Sequence, residues 1–512
     1  MEIGVTIRKN QYYDSVFLMG INNNISAIEG VKTSAVLMGT ESNKQLLSGI
    51  GVDDRQIEDA NPNDLIVAVI ADRSEIVQTI LGDLDNWFDR GYEQEGQLQP
   101  KTLEDGLLHK PNANLVVISV PGNHAFREAK KALDKGINVF LFSDNVPIAE
   151  ELALKEYASA NGLMVMGPDC GTSIIAGVGI GFANNVRKGS IGVVGASGTG
   201  LQEFTCQIHN SGFGISHAIG TGSHDLSDEV GGITTLAGLK ALEKDSTTRV
   251  IVIISKPPGL KTLERIVEIV DSFRKPVIGC FLGLKQNLHH ENHSIILARN
   301  VDKAVISAIS AMGERVAGLE SELSAAELKL LEIEKNQLAS SQKYGRGIFA
   351  GGTFCYQAQQ IFQDFGLKVY SNTPINKQWI LSAPDISKEH TMIDMGDDCY
   401  TVDKPHPMID GSHRRRRIIE ESKDPLVAVL LIDIILGYNA SPDPVGDIID
   451  AIIEAKQLAK NRGQHLCVVA SVCGTNEDHQ DKEFQVEKLE RAGVIVLKSN
   501  AKAALFCSRL WR

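Results

Sequence analysis

The chain is 512 residues long, which is enough for roughly three to four domains. Its 51 basic and 64 acidic residues leave a net charge of −13, which argues against nucleic acid or an anionic membrane as the main partner. The sequence has no apolar run of about 20 residues that could span a membrane, and its first residues lack a secretion signal. Its 8 cysteines are scattered without a Cys-x-x-Cys pair, which argues against a zinc site or a disulfide framework. These properties predict a cytoplasmic α/β protein.

Residues 1–90 predict a small N-terminal α/β module. Short runs rich in apolar and β-branched residues predict strands, and helical patterns lie between and after them. The predicted strands are Gly4–Arg8, Thr33–Met38 and Leu65–Ile70, and the predicted helices are Ser15–Ile28 and Arg73–Phe88. We find no combination of catalytic residues in this module. The polar stretch Gly91–Pro111 that follows predicts a linker.

Residues 112–187 predict a Rossmann-like domain, a doubly wound parallel sheet. An unbroken apolar run at Asn114–Val120 indicates a buried strand, and helices and strands alternate after it up to Met166. Ligands of such sheets bind at the carboxyl ends of the strands. The residues to consider are therefore Pro121, after the first strand, and Gly167–Ser173, after the last.

Residues 189–314 and 346–512 repeat one pattern, in which a β-like run leads through a glycine-rich turn into a helix-like run. The first turn is Ser197-Gly198-Thr199 and the second is Gly351-Gly352-Thr353. Such a turn directs free N–H groups and the positive end of a helix at one point, which favours a phosphate or carboxylate. The alternative is a tight turn that binds nothing. We predict two related α/β domains that hold an anion between them, joined by a charged helical connector over Gly318–Gln342.

Side chains suited to catalysis follow the second glycine turn. Asp397 and Asp398, together with Asp394, come after a predicted strand and could bind Mg²⁺ or act as a general base. An acidic, solvated loop would have the same sequence. His406 lies between two prolines that hold its backbone extended, which suits proton transfer or substrate contact, and equally a structural loop.

Motifs in the last domain resemble those of the FdrA family of acyl-CoA-synthetase-like proteins. In chain order they are Phe349–Tyr356, Met392–Asp398, Lys404–Asp410 and Leu436–Pro444. The resemblance covers nearly the whole chain. It implies two flavodoxin-like domains of the succinyl-CoA synthetase type, the first like that of the α subunit and the second like that of the β subunit. It also implies that residues 112–187 form a CoA-binding domain.

The resemblance extends to individual residues. A strand that ends in Gly-Pro-Asn-Cys in the succinyl-CoA synthetase α subunit resembles Gly167-Pro168-Asp169-Cys170 here, and that family's phosphate turn resembles Ser197-Gly198-Thr199. It therefore implies CoA as a cofactor, bound by Pro121, Gly167, Pro168 and Asp169. The aspartates of the last domain leave Mg²⁺ open as a second cofactor.

The chain departs from succinyl-CoA synthetases in ways that bear on mechanism. It leaves no room for an ATP-grasp nucleotide domain, and the phosphorylated Gly-His-Ala-Gly motif is missing from the corresponding stretch Asn287–His293. Lys256 stands where that family has the glutamate that orients the histidine. A lysine beside an anion turn implies direct binding of an anionic substrate. The residues implied in catalysis are Lys256, His406, Asp397 and Asp398.

The combined pattern predicts an enzyme that transfers an acyl or carbamoyl group and works with partner subunits in an oligomeric assembly. Without an ATP-grasp domain, a substrate that is already activated, such as carbamoyl phosphate, is expected. FdrA-like proteins are linked to ureide breakdown, in which oxamate carbamoyl transfer is the relevant reaction. The alternative is a non-catalytic subunit that binds CoA or acyl-CoA within a larger complex.

Overall fold

The computed structural model describes residues 2–11, 13, 15–26, 28, 30–49, 52, 54–92, 100–284, 295–315, 321–401 and 404–511. The described chain forms two compact units, Met1–Gly106 and Leu107–Arg512. Within these residues no helix is both long and apolar enough to cross a membrane. The stretch Asn287–His293, which lacks the phosphohistidine motif, lies outside the described residues.

The first unit is built on a three-stranded antiparallel sheet. Its elements are β1 (Glu2–Arg8), α1 (Ser15–Ser26), β2 (Val31–Met38), α2 (Glu41–Gly49), α3 (Arg55–Glu58), β3 (Leu65–Ala71), α4 (Ser74–Gly82) and α5 (Leu84–Tyr92). The strand order is β1-β3-β2, and all three predicted strands are present. Their β-branched and apolar residues suit a pleated, buried surface.

Helices cover both faces of this sheet. Successive residues of a strand point to opposite faces, so Val67 and Val69 of β3 pack with α1 and α4, whereas Ile66 and Ala68 pack with α2 and α3. The helix predicted over Arg73–Phe88 is interrupted between α4 and α5. The interruption falls at Gly82 and Asp83, two residue types with low helix propensity.

The predicted linker Gly91–Pro111 is helical in part, because α6 spans Leu103–His109. The Thr102 hydroxyl accepts the backbone N–H of Asp105 at 3.1 Å, and acidic residues occupy the first turn of this helix. Both features stabilise a helix start. Residues 93–99 of the predicted linker lie outside the described residues.

The second unit begins with a three-stranded parallel sheet. Its elements are β4 (Leu115–Ile118), α7 (Gly122–Asp134), β5 (Asn138–Leu141), α8 (Ile148–Ala160) and β6 (Val165–Met166). The strand order, β4-β5-β6, follows the chain. Pro121 directly precedes α7 and Gly167 directly follows β6, so both lie at the carboxyl edge of the sheet.

A seven-stranded sheet follows. Its elements are β7 (Thr172–Ile175), β8 (Val178–Gly181), β9 (Lys188–Gly195), α9 (Gly198–Asn210), β10 (Ile215–Gly220), α10 (Ile233–Lys244), β11 (Val250–Ser255), α11 (Leu260–Val270), β12 (Val277–Phe281), β13 (Ile295–Leu297) and α12 (Val301–Ala311). The order is β13-β12-β11-β9-β10-β7-β8, with antiparallel pairing at β10–β7 and β7–β8. The hairpin β7–β8 falls in sequence within the predicted domain 112–187 but pairs with this sheet.

The predicted connector contains α13 (Ala325–Gln337), which starts with the capping box of Ser324 and Glu327. A six-stranded parallel sheet follows in the order β15-β16-β14-β17-β18-β19. Its elements are β14 (Tyr344–Phe349), α14 (Gly352–Asp364), β15 (Val369–Tyr370), β16 (His390–Asp394), α15 (Asp398–Thr401), α16 (Ser412–Ser422), β17 (Val427–Ile435), α17 (Ile449–Asn461), β18 (Cys467–Cys473), α18 (Lys482–Arg491), β19 (Ile495–Leu497) and α19 (Asn500–Ser508). A 3₁₀ turn, Lys377–Trp379, lies between β15 and β16.

The fold class is α/β with parallel sheets, as predicted. In both larger sheets the strand order reverses direction at one strand. In the seven-stranded sheet β10 lies on one side of β9, and β11 and β12 lie on the other side. In the six-stranded sheet β15 and β16 lie on one side of β14, and β17, β18 and β19 lie on the other side. Ligand crevices of open α/β sheets form at the carboxyl ends of the strands at such switch points. The two glycine turns follow β9 and β14 and therefore lie at both switch points.

A buried ion cluster connects α8 to the seven-stranded sheet. The ammonium group of Lys155, 1% exposed, donates to Glu151 at 2.6 Å, to the carbonyl of Thr221 at 3.0 Å and to Asp225 at 2.8 Å. The Asp225 carboxylate also accepts the backbone N–H groups of Thr234 and Thr235. Because a buried charge is tolerated only when it is paired and hydrogen-bonded, this lysine holds the two sheets together.

We expect Lys155→Met to lower the stability of the second unit by about 3–5 kcal/mol, because it leaves two buried carboxylates without their cation. Lys130→Met is the matched control, since Lys130 pairs with Asp134 on the exposed face of α7 and exposed pairs contribute roughly 0–1 kcal/mol. Urea denaturation followed by circular dichroism measures both. Equal shifts of the two unfolding midpoints would contradict this account.

Candidate active site

The two glycine turns meet. Ser197 caps α9, and its hydroxyl accepts the N–H of Gly200 at 3.1 Å. The same hydroxyl is hydrogen-bonded to the hydroxyl of Thr353, in the first turn of α14. A Cβ added to Gly351 would lie 3.0 Å from the side chain of Thr199, so only glycine fits at this contact. The structure therefore brings the N-termini of α9 and α14 together, as the repeated pattern predicts.

The two turns differ in what they bind. The carboxylate of Asp433, at the carboxyl end of β17, accepts the backbone N–H of Ala350 at 2.9 Å and that of Gly351 at 2.8 Å. The buried guanidinium of Arg414 donates to the same carboxylate at 2.8 Å. The anion beside Gly351 is thus a side chain of the protein itself. The prediction that this turn offers its N–H groups to a substrate needs correction for Gly351.

The turn before α9 has an unsatisfied polar group beside it. A Cβ added to Gly198 would lie 3.4 Å from the hydroxyl oxygen of Thr172. That hydroxyl is buried and has no hydrogen-bond partner in the described part of the chain. A buried donor without a partner is costly, and here it lies at the positive end of a helix. The arrangement fits an anionic group of a ligand.

Lys256 and Asp394 belong to different sheets, but the charge of Lys256 affects the pKa of Asp394. Lys256 directly follows β11, is exposed, and holds its ammonium 5.6 Å from the ring centre of Tyr356 on α14. Asp394 ends β16 and is buried. Burial raises the pKa of Asp394 to about 7, and the positive charge of Lys256 opposes that rise. The predicted catalytic lysine therefore lies close to the N-terminus of α14.

His406 is placed beside this pair as a neutral imidazole. Its Nδ1 accepts the backbone N–H of Met408 at 3.2 Å, which assigns the ring proton to Nε2. Burial and the charge of Arg414 lower the pKa of His406 to about 4. A Cβ added to Gly396 would lie 2.8 Å from Nε2 and 3.3 Å from a carboxylate oxygen of Asp394. At neutral pH His406 is therefore a hydrogen-bond donor and not a cation.

The predicted CoA-binding and catalytic aspartates converge at one acidic cluster. Desolvation and a hydrogen bond with Asp144 raise the pKa of Asp398, the first residue of α15. Desolvation and then the charge of Asp144 raise the pKa of Asp169 to about 6. His224 faces the same cluster, and its hydrogen bond to Glu151 raises its pKa. These acids lower one another's tendency to ionise, as neighbouring like charges do.

The remaining predicted residues lie around this cluster. Pro121 is the N-cap residue of α7, and a Cβ added to the next residue, Gly122, would lie 2.3 Å from the carbonyl of Asp144. A Cβ added to Gly222, after β10, would lie 2.1 Å from the carbonyl of Pro168. Asp397 lies close enough to Asp394 to raise its pKa. The carboxyl ends of the parallel strands β4–β6 and those of the seven-stranded sheet therefore lie next to each other.

Sequence reasoning missed three contributors to the site. Asp144 follows β5 and could have been found by applying the strand-end rule to every strand. Thr172 lies within the segment Gly167–Ser173, but its unpartnered hydroxyl shows only in three dimensions. The role of Asp433 depends on Arg414, which the sequence presents as part of a basic run. Within the described residues no group of three His, Cys, Asp or Glu side chains is arranged to hold a metal ion.

Three family models match parts of the chain. A CoA-ligase model matches residues 348–510, and a CoA binding domain model matches residues 186–281. A model described as AllF, heavy metal-associated domain, matches residues 1–102. The CoA binding match covers β9, the α9 turn and Lys256. The CoA role given to residues 112–187 stays a prediction.

Individual proteins resemble the chain over different shares of its length. The chain is 39% identical to the uncharacterized protein YahF of Escherichia coli (strain K12) over 506 residues, 99% of this chain and 98% of YahF. It is 28% identical to the α subunit of an ADP-forming succinate–CoA ligase from Aquifex aeolicus (strain VF5), over 49% of this chain and 85% of that subunit. The apo form of a dinucleotide-forming acetyl-coenzyme A synthetase from Ca. Korarchaeum cryptofilum aligns over 78% of this chain and 82% of its own, at 16% identity and a TM-score of 0.33.

The parallel sheets, the paired switch-point turns and the family models define the class, an acyl-CoA synthetase-like ligase of the succinyl-CoA synthetase superfamily. Within that class the chain belongs to the FdrA family, as its motifs predict. The predicted resemblance to this family is confirmed.

The N-terminal unit does not fit a heavy-metal site. Soft and transition metals in proteins are bound mainly by cysteine thiolates and histidine imidazoles. The first histidine of the chain is His109 and the first cysteine is Cys170, so the matched region 1–102 contains neither residue type. The unit therefore resembles this domain family but lacks the cysteine and histidine ligands for such a metal, and the soft ligands left to it are the thioethers of its methionines.

We expect the N-terminal unit to bind no cuprous ion tightly. Cys399 is the exposed cysteine of the chain, and the other seven are buried, so any thiolate-dependent binding should disappear in Cys399→Ser. Titration of the full chain against a chromophoric copper chelator measures this. A tight equivalent of cuprous ion that persists in Cys399→Ser would contradict the expectation.

Proposed function

We propose that this chain catalyses the transfer of an acyl or carbamoyl group from a phosphate-bearing donor bound at the N-terminus of α9. One observation carries the proposal. Two helix N-termini meet at Ser197 and Thr353, and among the described residues a carboxylate, that of Asp433, binds the backbone N–H groups at Gly351 but none does so at the α9 turn. The positive end of α9 therefore favours an anion supplied by a ligand.

Each proposed role follows from a contact. The N–H groups of Ser197-Gly198-Thr199 and the hydroxyl of Thr172 hold the phosphate group of the donor. Lys256 supplies a fixed positive charge for the negative charge that develops on the leaving phosphate. His406 donates a hydrogen bond from Nε2 as a neutral group. Catalysis then rests on positioning and charge stabilisation, not on a covalent enzyme intermediate.

The donor and cofactor follow from the sequence together with the site. We propose a donor that is already activated, such as carbamoyl phosphate, because its phosphate group fits the α9 turn, with oxamate as acceptor. Partner subunits would complete the reaction. CoA is the cofactor that the matched CoA binding domain favours. Pro121, Gly167, Pro168 and Asp169 would hold it, and the N-terminus of α7, which no side chain caps, fits one of its phosphates.

The alternative is a subunit that binds CoA or acyl-CoA without catalysis. The acidic cluster of Asp144, Asp169 and Asp398 does not separate the two functions, because ionised carboxylates repel the phosphates of CoA as well as the phosphate of a donor. The raised pKa values of Asp169 and Asp398 weaken that repulsion in both cases. Turnover separates the two functions, since only the enzyme forms the carbamoylated acceptor from carbamoyl phosphate.

We expect Lys256→Met to lower kcat/KM for carbamoyl phosphate by about 10²–10³-fold, the cost typical of removing one charge-stabilising group from an active site. Thr199→Ala combined with Thr353→Ala should likewise weaken turnover. Lys244→Met is the matched control, because Lys244 is an exposed lysine at the C-terminal end of α10.

Phosphate release and carbamoyl-oxamate formation, measured in the presence of partner subunits, give the readout. The enzyme proposal fails if turnover survives loss of both turn threonines. If CoA binds but carbamoyl phosphate is never consumed, the binding subunit is the better account.

A further inference from the structure

Asp394 is a buried carboxylate to which the proposed function gives no step. Its backbone is fixed from both sides by one side chain, since Asn372 donates to the Asp394 carbonyl at 2.9 Å and accepts its N–H at 3.0 Å. The side chain is 6% exposed. Its position is therefore set by β16 and cannot relax toward solvent.

The two oxygens of this carboxylate differ. Oδ1 accepts the N–H of Gly396 at 3.0 Å. Oδ2 accepts no hydrogen bond from any residue the structure describes, and it points at the first residue of α14. A Cβ added to Gly352 would lie 2.6 Å from Oδ2. Oδ1 is thus held by a hydrogen bond, whereas Oδ2 accepts none from the described residues and packs against the helix start that carries Thr353.

Asp433 provides the comparison within the same site. Both aspartates lie at the N-terminus of α14, but Asp433 pairs with Arg414 and accepts two backbone N–H groups. Burial raises the pKa of Asp433, and the charge of Arg414 and the two N–H groups oppose that rise. Both oxygens of Asp433 accept hydrogen bonds. Within the described residues the Asp394 carboxylate accepts one hydrogen bond and pairs with no guanidinium. Of the two, Asp394 is the one with an oxygen left to accept a proton.

The charged and titratable groups around Asp394 come from every neighbouring element. Lys256 reaches it from β11, Asp397 from its own loop, and Asp433 from β17. The neutral Nε2–H of His406 lies on the far side of Gly396. Cys355 of α14 is buried, and its thiol pKa is raised by burial, so this thiol stays protonated. Within this group Asp394 is the acid positioned beside the proposed donor site.

We propose that Asp394 is the general base of the transfer reaction and accepts the proton of the attacking group on Oδ2. This inference rests on the proposed function. An N–H or S–H acceptor attacks the carbonyl carbon of the donor, and a new C–N or C–S bond forms. The C–O bond to phosphate breaks, and its electron pair stays on the phosphate oxygen. The proton lost by the acceptor moves to Asp394, so atoms and charge balance.

The expected pH dependence has a definite sign. A general base must be ionised to act, and burial raises the pKa of Asp394 to about 7. Activity should therefore be low below pH 7 and rise to a plateau above it. Anion binding beside Asp394 should raise its pKa further, so binding of phosphate near pH 7 should take up a proton.

The first test is the pH profile of kcat for wild type, Asp394→Asn and the control Asp385→Asn, whose side chain is exposed. We expect Asp394→Asn to lower kcat by about 10²–10⁴-fold and to abolish the rise of kcat near pH 7. Asp385→Asn should have the same kcat and the same pH profile as wild type. If the wild type consumes carbamoyl phosphate and Asp394→Asn keeps its rate and this rise, Asp394 is not the base. If the wild type, assayed with the partner subunits present, consumes none at any pH, the proposed function itself fails.

The second test measures anion binding and does not depend on turnover. Inorganic phosphate is titrated into the wild-type chain near pH 7 by calorimetry in buffers of different ionisation enthalpy. Because phosphate itself titrates near pH 7, the readout is the difference between the two chains, and we expect more proton uptake in the wild type than in Asp394→Asn. Equal proton uptake in the two chains would overturn the proposal.

Discussion

The candidate active site depends on one buried pair, the carboxylate of Asp433 held by the guanidinium of Arg414. This carboxylate accepts the N–H groups of Ala350 and Gly351 and so neutralises the N-terminus of α14. Without it, two positive helix ends would face each other at Ser197 and Thr353, which is unfavourable. With it, the α14 turn is closed and the α9 turn is left to bind an external anion. The two domains are therefore related in fold but not equivalent in chemistry.

The second constraint is the crowding of acids around that turn. A chain of net charge −13 places Asp144, Asp169, Asp394 and Asp398 near a proposed phosphate site. Burial and then the charge of Asp144 raise the pKa of Asp169 to about 6. Burial raises the pKa of Asp394 to about 7, and the charge of Asp397 adds to that rise. Near neutral pH the cluster therefore carries fewer negative charges than its residue count suggests. The same crowding leaves Asp394 able to exchange a proton.

The sequence predicted those features that depend on local pattern. The parallel strands and both glycine turns follow from periodicity and short-range chemistry. Other features depend on contacts between distant residues and were out of reach. The hairpin β7–β8 joins the seven-stranded sheet because it pairs with β10, and Asp433 closes the Gly351 turn from 82 residues away. The neutral state of His406 depends on burial and on Arg414, which no local motif encodes.

The most direct test of the central claim is a crystal structure of the full chain soaked with carbamoyl phosphate, or with inorganic phosphate as the simpler probe. The account predicts a phosphate group on the N–H groups of Ser197-Gly198-Thr199, near Lys256, with Asp433 still bonded to Gly351. A phosphate group on Gly351 with Asp433 displaced, or no anion at the α9 turn at saturating concentration, would contradict it.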